Sequence, residues 1–453
     1  MCSTIQDKAN ELFMDSEILA PMVRASTTPL RVLALSYGAD LVYTEEIIDR
    51  AITGTDRIVN HELNTIDYVK RMSSFSAKVQ KRMKANGETV PVVLRIVPSV
   101  EKGKLIYQIG TGESNLALPA ATMVANDVDG IDINMGCPKK FSVSGGMGSA
   151  LLSDLPRACD IVKTLRRNLN IPVSCKIRLL EDEMKTVEFV QGLVNAGANA
   201  VAIHGRMVGD ESTQSARIER LVETVQILKS TGGINVPIII NGDLYTRNDM
   251  VNIKMRSGAD GVMLARPALY NTSIFRKPVE SRGSENNDND CTSEEEARYG
   301  YDSPLLYSKT RVIQDYLTRV HRYQTHFKNA KYVICEMMNN RRSPSKITRF
   351  LNHDFEGKQS IDMVCKCKSI DELCKVWDVN LSTLPVFTGN STLSHEKECS
   401  ETTLHRYDDR YFLDPEALRK ERQKDDINRD KMQNDGASGS LEEDKAKRAR
   451  LTL

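Results

Sequence analysis

Eight short, apolar, β-branched runs recur between residues 18 and 265, each followed by a segment with helical spacing. They are Ile18–Val23, Ala39–Thr44, Leu105–Gly110, Gly130–Asn134, Pro172–Arg178, Ala200–His204, Pro237–Gly242 and Gly261–Ala265. Near-continuous apolar runs suit strands buried on both faces, as in a parallel sheet clothed by helices. The amphipathic segments between them include Asp154–Leu169, Asp182–Ala196, Arg217–Lys229 and Arg247–Ser257. Gly197 and Gly258 stand where a helix must stop before the next strand. Eight strand–helix units over about 260 residues predict an α/β fold, a (β/α)8 TIM barrel, in preference to an open doubly wound sheet. A further run, Val90–Val97, lies outside the count and reads as a hairpin partner or decoration.

The barrel is expected over residues 16–278, after an N-terminal extension, 1–15. Residues 279–300 carry seven acidic side chains against two basic ones, with Ser, Asn and Gly between. They read as an acidic, disordered linker. A small all-α basic domain is expected over 301–387. Within 303–350, Lys309, Arg311, Arg319, Arg322, Lys328, Lys331, Arg341, Arg342, Lys346 and Arg349 oppose only Asp315 and Glu336, a net charge of +8. Val312, Tyr316, Val320, Tyr323 and Phe327 fall on one helix face, so the packed face is apolar and the exposed face basic. The whole chain, at a net +1, gives no reason to expect a polyanion partner. This segment does, because clustered cations suit a phosphate backbone. A second helical pattern with Leu373 and Trp377 closes the domain, and 388–453 reads as a mostly disordered tail.

No stretch approaches 18 consecutive apolar residues, so no membrane span is expected. The first residues lack the basic and apolar parts of an export signal. Ten scattered cysteines are expected to be reduced thiols in a cytoplasmic protein. Lys445-Ala446-Lys447-Arg448-Ala449-Arg450 admits a nuclear address, although a solvated tail is the preferred reading. Cys365, Cys367 and Cys374 match no common zinc spacing, so no metal is expected. A monomer is expected.

In a parallel barrel the working residues sit at the C-terminal ends of the strands. In chain order those ends carry Pro21-Met22-Val23, Glu45, Gln108, Asn134 before Cys137-Pro138, Lys176 and Arg178, His204 with Arg206, Asn241-Gly242-Asp243, and Ala265-Arg266. One polar group at a strand end is ordinary. A polar group at nearly every end, all facing one mouth, points to a site. A phosphate is expected after the last two strands.

This ordered set resembles the FMN-dependent barrels and, within them, the dihydrouridine synthases. Asn134-Met135-Gly136-Cys137-Pro138, followed by Gly145-Gly146-Met147-Gly148, looks like that family's catalytic loop. Tyr43-Thr44-Glu45-Glu46 and Lys139-Lys140 look most like its eukaryotic type-2 branch. The resemblance implies that Pro21, Met22 and Val23 line the FMN ring and that Gln108 bonds its pyrimidine edge. It implies that Lys176 and His204 contact the ring's polar side and ribityl chain, with Glu45 also near the cofactor. It assigns the phosphate to Asn241, Gly242, Asp243, Ala265 and Arg266, and the substrate uracil to Asn134, Arg178 and Arg206. Many animal members of the type-2 branch add a double-stranded-RNA-binding domain, for which residues 388–453 lack the alternating apolar strands.

The implied reaction is reduction of uridine to dihydrouridine in the D-loop of tRNA, at position 20, with NADPH as reductant. Hydride would come from flavin N5 and the proton from Cys137. The glycines after Cys137 would permit a loop that closes it over the base. Two other readings stand beside this one. The first is an FMN barrel acting on a free pyrimidine, against which the basic domain argues. The second is a non-catalytic RNA-binding protein on a barrel scaffold, against which the intact set of strand-end residues argues.

Overall fold

The computed structural model describes residues 4–86, 89–211, 213–230, 233–277, 307–338 and 359–381. Within them lie twelve strands: β1 (Glu17–Leu19), β2 (Leu41–Tyr43), β3 (Ile47–Ile48), β4 (Thr55–Asn60), β5 (Thr65–Lys70), β6 (Val92–Ile96), β7 (Leu105–Gly110), β8 (Gly130–Asn134), β9 (Val173–Arg178), β10 (Ala200–His204), β11 (Ile238–Asn241) and β12 (Gly261–Leu264). Eight of these, β1, β2 and β7 to β12, run parallel in ring order, and the β1–β12 and β2–β7 pairings close them into a barrel. All eight coincide with the apolar runs read from the sequence. The helices Leu155–Asn168, Glu183–Asn195, Ile218–Ser230 and Arg247–Ser257 fall within a residue or so of their expected bounds. Gly258 ends the last of these in a left-handed conformation, φ +72°, which a side chain would strain.

The barrel interior is filled by alternate strand residues, among them Ile18, Leu41, Tyr43, Ile106, Ala202, Ile239 and Met263. Phe13 and Ala9 pack into the same cluster from the helix Ile5–Phe13, so the N-terminal segment is a structural plug and not a loose extension. The Val90–Val97 run becomes β6. It pairs with β5, and β5 with β4, in a small antiparallel sheet outside the barrel.

The basic segment forms the helices Lys309–Arg322 and Phe327–Met338, joined by further short helices at Ile361–Lys366 and Ile370–Val376. The expected single face from Val312 to Phe327 is split, because Gln324 takes φ +47° and turns the chain after Tyr323. Val312, Tyr316, Leu317, Val320, Val333, Ile334, Leu373 and Trp377 are buried in one continuous core with the barrel's outer shell. Each such side chain contributes about 1.5–3 kcal/mol when removed from water. Tyr37 Oη donates to Asp315 at 2.5 Å and Asn271 Nδ2 to the Tyr307 carbonyl at 2.9 Å, tying helices to barrel. The acidic linker and the tail expected from the sequence, with Lys445–Arg450, lie outside the described residues. Among the described residues no helix is long and apolar enough to cross a membrane.

Candidate active site

Strand alternation sends residues i and i+2 to the same face. On β7 to β11 this directs a polar series into the upper end of the barrel. Register then places its members side by side: Gln108 opposite Asp132, Asp132 opposite Ser174, Asn134 opposite Lys176, Arg178 opposite His204, and His204 opposite Asn241. Residues drawn from five strands thus line the upper end of the barrel.

Gln108 is buried, and its Nε2 donates to Asp132 Oδ2 at 2.8 Å. Ser174 Oγ donates to the other Asp132 oxygen at 2.7 Å. Burial pushes the Asp132 carboxyl up to about 6, although both hydrogen bonds pull it down. Lys176 stands above this pair. Burial, followed by the repulsion of Arg178, lowers its ammonium to about 8. His204 is held far below its usual value, first by burial and then by Lys176, Arg178, Arg206 and Arg266. It is therefore a neutral imidazole, and its buried Nδ1 has no partner among the described residues.

Cys137 follows β8 on a loop fastened from three sides. Asn134 Oδ1 accepts from the N–H groups of Gly136 at 2.9 Å and Cys137 at 3.2 Å. Arg178 Nε donates to the Gly136 carbonyl at 2.7 Å, and its Nη1 to the Met207 carbonyl at 2.9 Å. Ser149 N–H donates to the Cys137 carbonyl at 3.0 Å. A Cβ on Gly148, φ +58°, would lie 2.6 Å from that carbonyl oxygen, so glycine is required for close approach. The glycine-rich stretch is thus folded against Cys137; the sequence reading had used it only as a loop free to close. Burial, then the neighbouring Glu46 carboxyl, raises the Cys137 thiol above its ordinary value and keeps it protonated.

Several strand-end residues also hydrogen-bond within the protein. Arg206 is buried, donating to the Gln214 carbonyl at 2.8 and 2.6 Å and to Asp243 at 2.8 and 2.7 Å. Its Nε and Nη2 are thus engaged within the protein, and its side chain also lines the small cavity at the ends of β11 and β12. Asn134 likewise spends its carbonyl on the Cys137 loop. Asp243 also accepts from Arg266 Nη2 at 2.6 Å and from Ala216 N–H at 2.6 Å. Its carboxylate is an anion that braces Arg266, so a phosphate beside it would meet backbone and cations instead. Asn241 Nδ2 donates to the Met263 carbonyl at 2.8 Å. His204, Asn241, Gly242, Asp243, Ala265 and Arg266 nonetheless surround one small cavity at the ends of β11 and β12. Pro21 and Met22 are half-buried, and Val23 is exposed. Glu45 accepts from Arg24 N–H at 2.7 Å, which ties the end of β1 to the end of β2.

An FMN group fits this set. A half-buried ammonium, a buried unpartnered imidazole nitrogen and the Arg178, Arg206 and Arg266 guanidiniums concentrate positive potential at one end of the barrel. Lys176 is half-buried and has no hydrogen-bond acceptor among the described residues, so its ammonium is left for an anionic partner. A larger cavity, about 930 Å3, lies elsewhere, between the small sheet and the helices. It is lined by Glu45, Arg95, His326 and Lys328 among others, and touches the strand-end layer only through Glu45. The chemistry, not the size, identifies the site.

The basic face is thinner than its sequence suggests. Lys309 is buried and its Nζ donates to the Met337 carbonyl at 2.6 Å, which removes it from any surface. Lys331 Nζ binds the carbonyls of Cys365 and Cys367. Arg311 lies over the Tyr307 ring at 4.0 Å, Arg319 donates to Ser36 Oγ at 2.9 Å, and Arg322 lies over Tyr323 at 5.3 Å. Lys328 is exposed. Arg341 and Arg342 lie outside the described residues. Among the described residues no group of three or more metal-ligating side chains comes together.

The family model described as Dihydrouridine synthase (Dus) matches residues 18–368. The chain belongs to the dihydrouridine synthase family. It is 35% identical over 327 residues to tRNA-dihydrouridine(20) synthase of Schizosaccharomyces pombe, covering 71% of this chain and 59% of that one. It is 37% identical over 265 residues to the Saccharomyces cerevisiae protein of the same name, covering 57% and 65%. It is also 30% identical over 260 residues to tRNA-dihydrouridine(20a/20b) synthase of Saccharomyces cerevisiae, covering 57% and 61%. All three names also carry NAD(P)+. The chain therefore spans about three fifths of the length of these family members.

Two members of the site escaped the sequence reading. Asp132 sits inside a run read only as apolar strand, two residues before Asn134 and hence on the same face. Glu46 follows Glu45, which alone drew a role. Its signal was the pair of acids directly after a buried strand.

Proposed function

We propose that this protein reduces uridine to 5,6-dihydrouridine in tRNA, at position 20 of the D-loop, with FMN as cofactor and NADPH as reductant. The observation that carries the reading is Lys176: a half-buried ammonium without a hydrogen-bond acceptor among the described residues, near the unpartnered Nδ1 of His204 and one strand from the Cys137 loop. The names of the two 35–37% identical relatives support the position, the tRNA substrate and the nicotinamide reductant.

Bound FMN would supply the hydride to the uracil ring. The protein's own residues do the rest. Lys176 and His204 hold the polar edge of the cofactor, with Gln108 fixed in orientation by Asp132. Gly242, Ala265 and Arg266 line the cavity that receives its phosphate. Cys137 Sγ–H, held neutral by burial, donates the proton to the adjacent carbon as general acid. Arg178 and Asn134 hold the thiol loop in place through the Gly136–Cys137 backbone. The base must leave its stack to reach this layer, and Lys328 with the half-buried arginines Arg311, Arg319 and Arg322 offers contacts to the flanking phosphates.

Purified protein tests the reading. A yellow flavin spectrum, and tRNA affinity that falls steeply with salt, are expected. A flavoprotein indifferent to tRNA but active on uracil would favour the free-pyrimidine reading. A colourless protein that binds tRNA would favour the scaffold reading.

A further inference from the structure

Glu45 and Glu46 are neighbours in sequence that face opposite ways. Glu45 turns to Arg24 and the outer cavity. Glu46 turns inward, where its carboxyl faces the Cys137 thiol and the Asn134 amide. Its Oε1 is buried and accepts no hydrogen bond among the described residues. Gly110 makes room for it: a Cβ there would fall 2.7 Å from Glu46 Oε1. Because Asn134 Oδ1 is taken by the Cys137 loop, its Nδ2 is the end left to meet Glu46.

We infer that Glu46 is a positioning residue for Cys137 in the proposed reaction, orienting its thiol and returning a proton to Sγ after each transfer. This rests on the reading of Cys137 as the acid. When Sγ–H gives its proton to the uracil carbon, a thiolate remains. The Glu46 O–H bond then breaks as the S–H bond re-forms, leaving a carboxylate. That carboxylate recovers a proton from water at the barrel mouth, and no electrons move in this leg. Burial raises Glu46 above its ordinary value, and the Cys137 and Asn134 groups that face it oppose the rise. The groups facing Cys137 are Glu46, the Ser142 hydroxyl, the Lys139 backbone, and Lys176 and Arg178 on the adjoining strand. Among the described residues no cation pairs with Glu46 itself. After burial, the Glu46 carboxyl beside Cys137 raises the thiol.

The test uses flavin-loaded Glu46→Gln. Alkylation of Cys137 by iodoacetamide, located by mass spectrometry and followed against pH, should show an apparent thiol pKa about one unit below wild type. The first turnover should persist, while later turnovers slow by about tenfold to a hundredfold. An alkylation profile that superposes on wild type, or first and later turnovers slowed equally, overturns the inference. Should Glu46→Gln fail to fold, Glu46→Asp carries the test. Its acid is withdrawn by one methylene, so a smaller shift of the same sign is expected, and no shift overturns the inference. Cys137→Ala separates the two levels. If that variant still turns over, the reading of Cys137 falls. If it is dead while Glu46→Gln leaves the profile unshifted, only the role of Glu46 falls.

Discussion

Asp132 Oδ2 accepts a hydrogen bond from Gln108 Nε2 at 2.8 Å, across two adjacent barrel strands and away from bulk water. The contact settles which end of the Gln108 amide is left for a ligand, and it places an ionisable carboxyl inside the barrel. Burial raises that carboxyl from 3.8 to about 6. Between about pH 4 and pH 6 the folded protein therefore binds more protons than the unfolded chain. The stability this group contributes is lost as pH rises through that window, on the order of 3 kcal/mol in all. Urea unfolding of wild type and Asp132→Asn from pH 4 to 7 should show the wild type losing that much relative to the variant. A pH-independent difference would contradict the assignment.

Lys176→Met should remove the cation nearest the cofactor's polar edge while keeping the length of the side chain. FMN should bind at least about tenfold more weakly, and the two-electron potential should fall by about 30 mV or more, equivalent to about 1.4 kcal/mol. Flavin titration and spectroelectrochemistry read both quantities. Unchanged affinity and potential would place the flavin elsewhere.

Two lysines close in sequence should behave oppositely. Lys309→Met removes a buried donor from the Met337 carbonyl and should cost about 1–3 kcal/mol of stability, with tRNA affinity per folded molecule unchanged. Lys328→Gln should leave stability alone and reduce the slope of log affinity against log salt by about 0.7–0.9. Thermal unfolding and salt-dependent tRNA binding distinguish them. A salt slope altered by Lys309→Met would refute its placement inside the helical core.

These particulars mark where sequence reasoning reached its limit. The barrel was legible because burial on both faces leaves an uninterrupted apolar run at each strand, and the site was legible because each run ends in a polar group. The β4–β5 hairpin was not legible. Ile58 and Val59 on β4 are about half exposed, so no one-sided alternation marks the strand. The helix Ile5–Phe13 passed as polar because it buries little beyond Ala9 and Phe13. The split after Tyr323 was hidden because apolar spacing is blind to one residue at positive φ. The internal partners of Arg206 were not legible for a different reason. Asp243 and Gln214 are 37 and 8 residues away, and a cation at a strand end does not announce which anion it meets.

The central claim is that the Cys137 thiol protonates a uracil carbon of tRNA above a flavin held by Lys176 and His204. Its most direct measurement mixes purified protein, FMN, NADPH and tRNA made without modification, then counts dihydrouridine at each position by mass spectrometry. Wild type should convert the uridine at position 20. Cys137→Ala should keep its flavin and its tRNA affinity yet form about 100-fold less product. A flavin-loaded wild type that forms no dihydrouridine, or a Cys137→Ala variant that forms it at the wild-type rate, would contradict the account.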